Sequence, residues 1–222
     1  MSKINISEIK RSNRRSISIE ITREGKLVVK APYLIPKIII ENFVNRKRNW
    51  ILKHLKKYSS KRTGKREYVE DEEFLYLGKK YNLHYGSYTE ISVSDIGKLH
   101  IPIATKFRAE KEIELFYRKT AMELITKRVE VNAKMMKLSY GAITFSDTKS
   151  KWGTCTYHNN LQFNWRLIMA PLEVVDYVIV HELTHITHKN HSRKFWNNVS
   201  FYKPAYKQHR KWLSLNSHRL FI

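Results

Sequence analysis

Cysteine is almost absent from this sequence of 222 residues, with Cys155 as its single representative. One thiol cannot form an intrachain disulfide, and it excludes a zinc site built from several cysteines. Because Cys155 lies in an apolar and aromatic stretch with strand character, we expect it to be a buried structural thiol. The sequence favours a reducing compartment, so a cytoplasmic protein is expected.

Long apolar runs are also missing. The longest, around residues 33–40, is interrupted by Pro36 and Lys37, and the N-terminal residues lack the apolar segment of a secretion signal. A membrane-spanning helix requires about 20 consecutive, mainly apolar residues. We therefore expect neither secretion nor a membrane partner.

Acidic residues are scarce, since 20 Asp and Glu stand against 42 Lys and Arg and give a formal net charge of +22. Such a charge attracts polyanions, of which nucleic acid is the most common. No acidic residue follows Glu182, and the basic residues beyond it are Lys189, Arg193, Lys194, Lys203, Lys207, Arg210, Lys211 and Arg219. Aromatic residues between them would either stack on bases or pack in a core. This basic C-terminal region is a candidate surface for nucleic acid or a nucleotide, and the oligomeric state stays open.

Strand patterns dominate the N-terminal half. Alternating apolar and polar residues, or short runs around a glycine, predict three strand pairs, over residues 16–30, 74–85 and 88–103. Helical spacing predicts one helix over about 36–57, and the charged residues that follow predict an exposed connector over 59–73. We expect residues 1–104 to form a β-rich unit with one helix.

Helices are predicted for most of the second half, residues 105–222. A stretch without Gly or Pro predicts a helix over 108–138, and a strongly apolar stretch predicts a buried helix over 172–188. A hairpin is expected between Trp152 and Trp165. The chain as a whole is therefore expected to be an α+β protein.

The buried helix contains the string His181-Glu182-Leu183-Thr184-His185. Two histidines four residues apart project from one face of a helix and can share one ion. Glu182 is offset from them, so it can act as general base toward a water that the metal acidifies, without being a ligand. This H-E-x-x-H pattern is typical of zinc-dependent hydrolases, and we expect a Zn²⁺ cofactor.

The third ligand must be another histidine, because no carboxylate is available after Glu182. His191 has the spacing that zincins with three histidines use, provided that the helix ends near Lys189-Asn190 and the chain turns back. Further histidines remain as competitors, namely His188, His209 and His218. The predicted metal set is therefore His181, His185 and His191, with Glu182 as the catalytic residue.

Four segments resemble the YgjP-like metallopeptidase family, whose relatives are the SprT-like zincins. They lie within residues 149–155, 164–171, 176–185 and 190–196, and the N-terminal half matches more loosely. The resemblance implies a minimal zincin-like catalytic domain, with an active-site helix and a small β-sheet. It also implies zinc on the three histidines and Glu182 as base.

Three functions compete at this point. The favoured one is a zinc metallopeptidase in which the strand near Gln162–Trp165 pairs with an extended peptide, with nucleic-acid-associated proteins as one class of substrate. The alternative is a metal-dependent nucleoside triphosphate (UTP-like) pyrophosphatase. The third is a non-enzymatic, basic nucleic-acid-binding module with structural zinc, but such a site normally has four protein ligands and would leave Glu182 without a role.

Overall fold

A computed structural model describes residues 4–22, 26–52, 66–148 and 150–221. Contacts between residues divide the chain into two compact units, Met1–Lys65 and Arg66–Ile222. The boundary expected from the sequence, between residues 104 and 105, falls inside the second unit. The reason is that apolar side chains from the strands over 73–102 share one buried core with the helices that follow.

The first unit contains a three-stranded sheet and a helix. Strands β1 (Glu8–Ser12), β2 (Ser18–Ile21) and β3 (Leu27–Pro32) are followed by helix α1 (Lys37–Arg46), and the strand order is β1-β3-β2. The antiparallel β2–β3 pair confirms the first predicted hairpin, whereas β1 adds a parallel partner that the sequence did not indicate. Residues 48–52 are again helical, and the last part of the predicted helix, residues 53–57, lies outside the described residues.

The first sheet of the second unit confirms the other two predicted strand pairs. It contains β4 (Glu73–Tyr76), β5 (Lys79–Gly86), β6 (Ser92–Val93) and β7 (Lys98–Pro102), in the order β4-β5-β7-β6. Gly78, in the β4–β5 turn, has a φ of 78°, and a Cβ there would lie 2.7 Å from Cγ of Pro171. Pro171 directly precedes the buried helix, so this turn packs closely against the start of that helix.

Helix α2 (Ala109–Met136) follows a short 3₁₀ turn over Ile103–Arg108. It ends where Lys137 adopts a left-handed conformation with φ of 55°, close to the predicted end. Its buried face repeats at helical intervals through Ile113, Tyr117, Ala121, Ile125 and Val129. The helix that the sequence predicted over 108–138 is thus confirmed, with one face of it buried.

A second small sheet contains β8 (Ile143–Ser146), β9 (Gly153–Cys155) and β10 (Leu161–Asn164). Its order is β8-β10-β9, with β10 parallel to β8 and antiparallel to β9. The expectation that the strand near Gln162–Trp165 pairs with a peptide is therefore wrong, because both edges of β10 are occupied. Among the strands that the structure describes, only β10 pairs with β9. The other edge of β9 therefore has no strand partner.

The chain continues through a 3₁₀ turn (Trp165–Met169) into three helices and a last 3₁₀ turn (Ser217–Leu220). The helices are α3 (Leu172–Thr187), α4 (Arg193–Tyr202) and α5 (Tyr206–Asn216). These elements confirm the α+β class and the buried helix. None of the helices in the described ranges combines the length and apolar character needed to cross a membrane.

A buried ion network connects helices α2, α3 and α4. Asp176 on α3 is 5% exposed, accepts a hydrogen bond of 2.7 Å from Nε of Arg128 on α2, and accepts one of 3.1 Å from Lys203 after α4. Burial alone would raise the pKa of Asp176, but the two cations outweigh it and the pKa is lowered. Asp176 thus fixes α3 to its neighbours less than two turns before His181.

Asp176→Ala is expected to lower the free energy of unfolding by about 3 kcal/mol or more, because it leaves Arg128 and Lys203 largely buried without their counter-ion. Urea unfolding monitored by circular dichroism measures the loss. Glu112→Ala is the matched control, since it breaks a surface pair with Arg108 at 2.9 Å that contributes about 1 kcal/mol or less. If both variants lose the same free energy of unfolding, the Asp176 network stabilises α3 no more than a surface ion pair would.

Candidate metal centre

Three histidines meet at one end of helix α3. His181 and His185 lie one turn apart on the helix, His191 lies on the loop after it, and one nitrogen of each is within 4.8 Å of the others. Nε2 of His191 is 3.1 Å from Nε2 of His181. Within the described residues this is the group of three that can hold a metal ion, and His188, His209 and His218 lie outside it. The structure therefore brings together the three residues that the sequence singled out.

The chain turns back because α3 ends at Thr187, slightly before the predicted exit at Lys189-Asn190. His188 is extended, with φ of −129° and ψ of 93°, and its carbonyl oxygen accepts a hydrogen bond of 3.0 Å from Nδ1 of His185. Ser192 then caps α4 by accepting from the backbone N–H of Phe195. The bend required for His191 to approach the helix is thus present.

Lys189 joins this loop to the hairpin that follows strand β9. Its Nζ donates to Oδ1 of Asn159 at 2.9 Å and to the backbone oxygens of Tyr157 and Thr156 at 3.4 and 3.5 Å. The loop that carries His191 and the β9–β10 hairpin are therefore held to each other by one side chain.

Aromatic side chains support the three imidazoles from one side. The Phe195 ring lies 4.9, 4.6 and 4.7 Å from the rings of His181, His185 and His191. Trp196 stacks on His191 with ring centroids 5.6 Å apart and an interplanar angle of 22°. This packing restricts ring rotation, which a metal site needs because its nitrogen atoms must stay convergent.

The electrostatics also suit a metal. Burial, together with the neighbouring His185 and His191, lowers the pKa of His181 to about 3, and burial lowers the pKa of His185 as well. Both rings are thus neutral near pH 7, as metal ligands must be. The bond from His185 to the His188 carbonyl places the proton on Nδ1 and leaves Nε2 free to coordinate. The residues present fit a divalent ion with a preference for imidazole nitrogen, such as zinc.

Glu182 lies between helix α3 and strand β9. It is 6% exposed, and burial raises its pKa to about 8, against the opposing effects of Lys151 and of a hydrogen bond with the Cys155 backbone. A Cβ on Gly153 would lie 2.6 Å from its Cγ and 2.7 Å from Oε1. Glycine at position 153 is thus required for this close approach.

Sequence reasoning missed the contribution of β9 to the site. Cys155 was expected to be buried for packing, but it is only partly buried, and its backbone contacts the carboxylate of Glu182. Gly153 lay within a segment of family resemblance without an assigned role. The available signal was a glycine inside a strand, which often marks a close approach of another group.

Comparison with protein-family models gives a match over most of the chain. The family model described as YgjP-like, metallopeptidase domain, matches residues 15–216. A solved structure, the crystal structure of the metallopeptidase zymogen of Methanocaldococcus jannaschii jannalysin, is 23% identical over 40% of this chain and 92% of that chain, with a TM-score of 0.37. A search of curated proteins gives no match.

The pKa of Glu182 generates a prediction for the metal-free protein. The protonated carboxyl stabilises the fold; this contribution is fully present below about pH 4.5, declines above it, and is lost once the pH has risen through about 8. Glu182→Gln stays neutral, so we expect it to be more stable than wild type near pH 9 and equally stable near pH 4.5. Urea midpoints measured across this range check the difference.

Glu173→Gln serves as the control for that experiment, because it neutralises an exposed carboxylate on the same helix. Its stability should follow that of the wild type at every pH. If the urea midpoint of Glu182→Gln also changes with pH as that of the wild type does, the Glu182 carboxyl is not desolvated in solution.

Proposed function

Because the chain belongs to the YgjP-like metallopeptidase family and is thus a metal-dependent hydrolase, we propose that its metal is zinc, held by His181, His185 and His191, with Glu182 as general base. The observation that carries this proposal is the convergence of three imidazole nitrogens within 4.8 Å beside a buried carboxylate. A zinc ion bound there would supply Lewis acidity that polarises a peptide carbonyl and lowers the pKa of water.

Glu182 performs the proton transfers. Its carboxylate accepts a proton from the attacking water and passes it to the nitrogen of the leaving amine as the peptide C–N bond breaks. Burial raises the pKa of Glu182 to about 8 without a metal, and the positive charge of a bound zinc ion would lower it, so that the carboxylate would be available as a base near neutral pH. Gly153 allows the carboxylate to lie directly against the β9 backbone, where a substrate would be held.

Strand β9 replaces β10 as the proposed peptide-binding edge. The Trp152 oxygen accepts from the Asn164 N–H, and the Thr156 N–H donates to the Asn160 oxygen, both toward β10. In an antiparallel ladder the residues between them, Gly153 and Cys155, direct their backbone groups to the opposite side. That side faces Glu182, so an extended peptide added to β9 would lie beside the base.

We include proteins associated with nucleic acid among the proposed substrates. Exposed cations lie on α4 and α5, among them Arg193, Lys194 and Lys207, and no acidic residue follows Glu182 in the sequence. This charge would bring the site to substrates that are attached to a polyanion. Location in the cytoplasm remains part of the proposal.

Metal binding is the first expected outcome. Purified protein should bind about one zinc ion per chain, and His185→Ala should abolish stoichiometric binding because two imidazoles hold zinc weakly. Atomic emission measured after dialysis gives the ratio of metal to protein. His158→Ala, which removes an exposed histidine outside the cluster, should bind as the wild type does. Full zinc occupancy in the His185→Ala variant would show that His185 is not a ligand.

The reaction itself is tested by Glu182→Gln. The amide preserves the shape of the side chain but cannot accept a proton, so peptide hydrolysis should fall by about two to four orders of magnitude while zinc content stays near one. Three substrates should be compared by mass spectrometry: an unfolded protein, the same protein bound to DNA, and a nucleoside triphosphate. Pyrophosphate release that depends on Glu182, without peptide cleavage, would instead identify a pyrophosphatase.

A further inference from the structure

Arg210 is a cation beside the metal centre that has no acidic partner. Its guanidinium lies over the Trp196 ring, 5.2 Å from the centroid, and the same ring stacks on His191 and lies 5.7 Å from His181. In the part of the chain that the structure describes, no carboxylate and no hydrogen-bond acceptor contacts this guanidinium. An arginine carries five N–H donors in a planar arrangement, and these stay available for a ligand.

Several other arginines of the second unit have acidic partners. Arg128 pairs with Asp176, while Arg118 and Arg166 both pair with Asp147. Lys203 and Arg219 also follow Glu182, yet they reach acidic partners, so the unpaired state of Arg210 depends on its place in the fold.

Arg210 is exposed to solvent, and its guanidinium has one cation–π contact, with Trp196. Trp196 is stacked between partners, with Tyr206 at 5.3 Å and 19° in addition to His191. A guanidinium above an indole gains cation–π attraction without using its N–H groups. The distance from Arg210 to the Trp196 ring is 5.2 Å, and that from the Trp196 ring to the His191 ring is 5.6 Å, so the guanidinium lies within about 11 Å of the His191 ring. An extended peptide covers this distance in about three residues.

We propose that Arg210 binds a carboxylate of the peptide substrate, within about three residues of the cleaved bond, and so makes the enzyme selective for peptides with an acidic group there. The proposal rests on the peptidase function proposed above. Two sources supply the same chemistry, namely an Asp or Glu side chain and the C-terminal carboxylate of a short peptide. A guanidinium binds either one through paired N–H···O bonds.

Alanine-based peptides test this proposal. Each contains one Asp or one Asn at successive positions, and each is made with a free or an amidated C-terminus. Zinc-loaded wild type should show a ratio of kcat/KM for acidic over neutral peptide of about tenfold. A preference that depends on the Asp residue identifies the side-chain source, and one that depends on the free terminus identifies the C-terminal source.

Variants of Arg210 then assign the preference. Arg210→Ala should bring the ratio to about one, Arg210→Lys should keep part of it, and Arg210→Glu should reverse it in favour of a peptide with Lys at the same position. Lys211→Ala, which removes an exposed neighbouring charge on α5, should leave the ratio as in wild type. Melting temperature and zinc content identify variants that fail to fold. If Arg210→Ala is one of them, Arg210→Lys provides the test.

A binding experiment separates this proposal from the proposed function. Fluorescence polarisation of the same labelled peptides with the zinc-loaded Glu182→Gln protein measures the ratio of affinities without turnover. If zinc-loaded wild type cleaves none of the peptides while the Glu182→Gln protein still binds the acidic ones more tightly, the peptidase function is overturned and carboxylate binding by Arg210 is supported. An unchanged ratio in Arg210→Ala, or an equal loss in Lys211→Ala, would overturn the role of Arg210.

Discussion

Desolvation of helix α3 determines most properties of this protein. The helix is buried over nearly its whole length, although it carries two imidazoles and a carboxylate at its C-terminal end. Burial shifts the pKa of His181 and His185 downward and that of Glu182 upward, so the three groups are neutral where water would leave some of them charged. A divalent ion would bind the neutral imidazole nitrogens and so reinforce their neutral state, whereas its positive charge would favour the ionised form of Glu182.

The cost of burying polar groups is offset in other parts of the fold. Asp176 connects α3 to α2 and α4 through Arg128 and Lys203, and Phe195 packs against all three histidine rings. The helix is thus held rigidly from both sides. Rigid support of this kind keeps ligand nitrogens convergent before any ion arrives, which reduces the ordering that binding must complete.

Much of this could be predicted from the sequence because it depends on local spacing. The i, i+4 histidines, the apolar surroundings of α3, and the turn back to His191 all follow from helix periodicity and from the residues that end a helix. The three strand pairs were equally local, since each joins segments connected by a short turn. The assignment of the histidines as zinc ligands remains a prediction that the convergence of their side chains supports.

Features that depend on pairing between distant segments escaped prediction. Parallel pairing of β10 with β8 occupies the edge that was expected to bind a peptide, and no pattern within residues 161–164 indicates it. The same holds for the parallel pair β5–β7, which forms the centre of the four-stranded sheet in the second unit. Arg210 was visible only as one cation among eight until its contact with Trp196 singled it out.

The single connection made by Lys189 has a kinetic consequence. It fixes the loop that carries His191 to the β9–β10 hairpin, whose first strand is the open edge of the sheet. If His191 moves away from an ion, the hairpin must move with it or three hydrogen bonds must break. Loss of the ion and rearrangement of the strand edge are therefore coupled events, and a ligand that clamps the hairpin in place would also slow the escape of the metal.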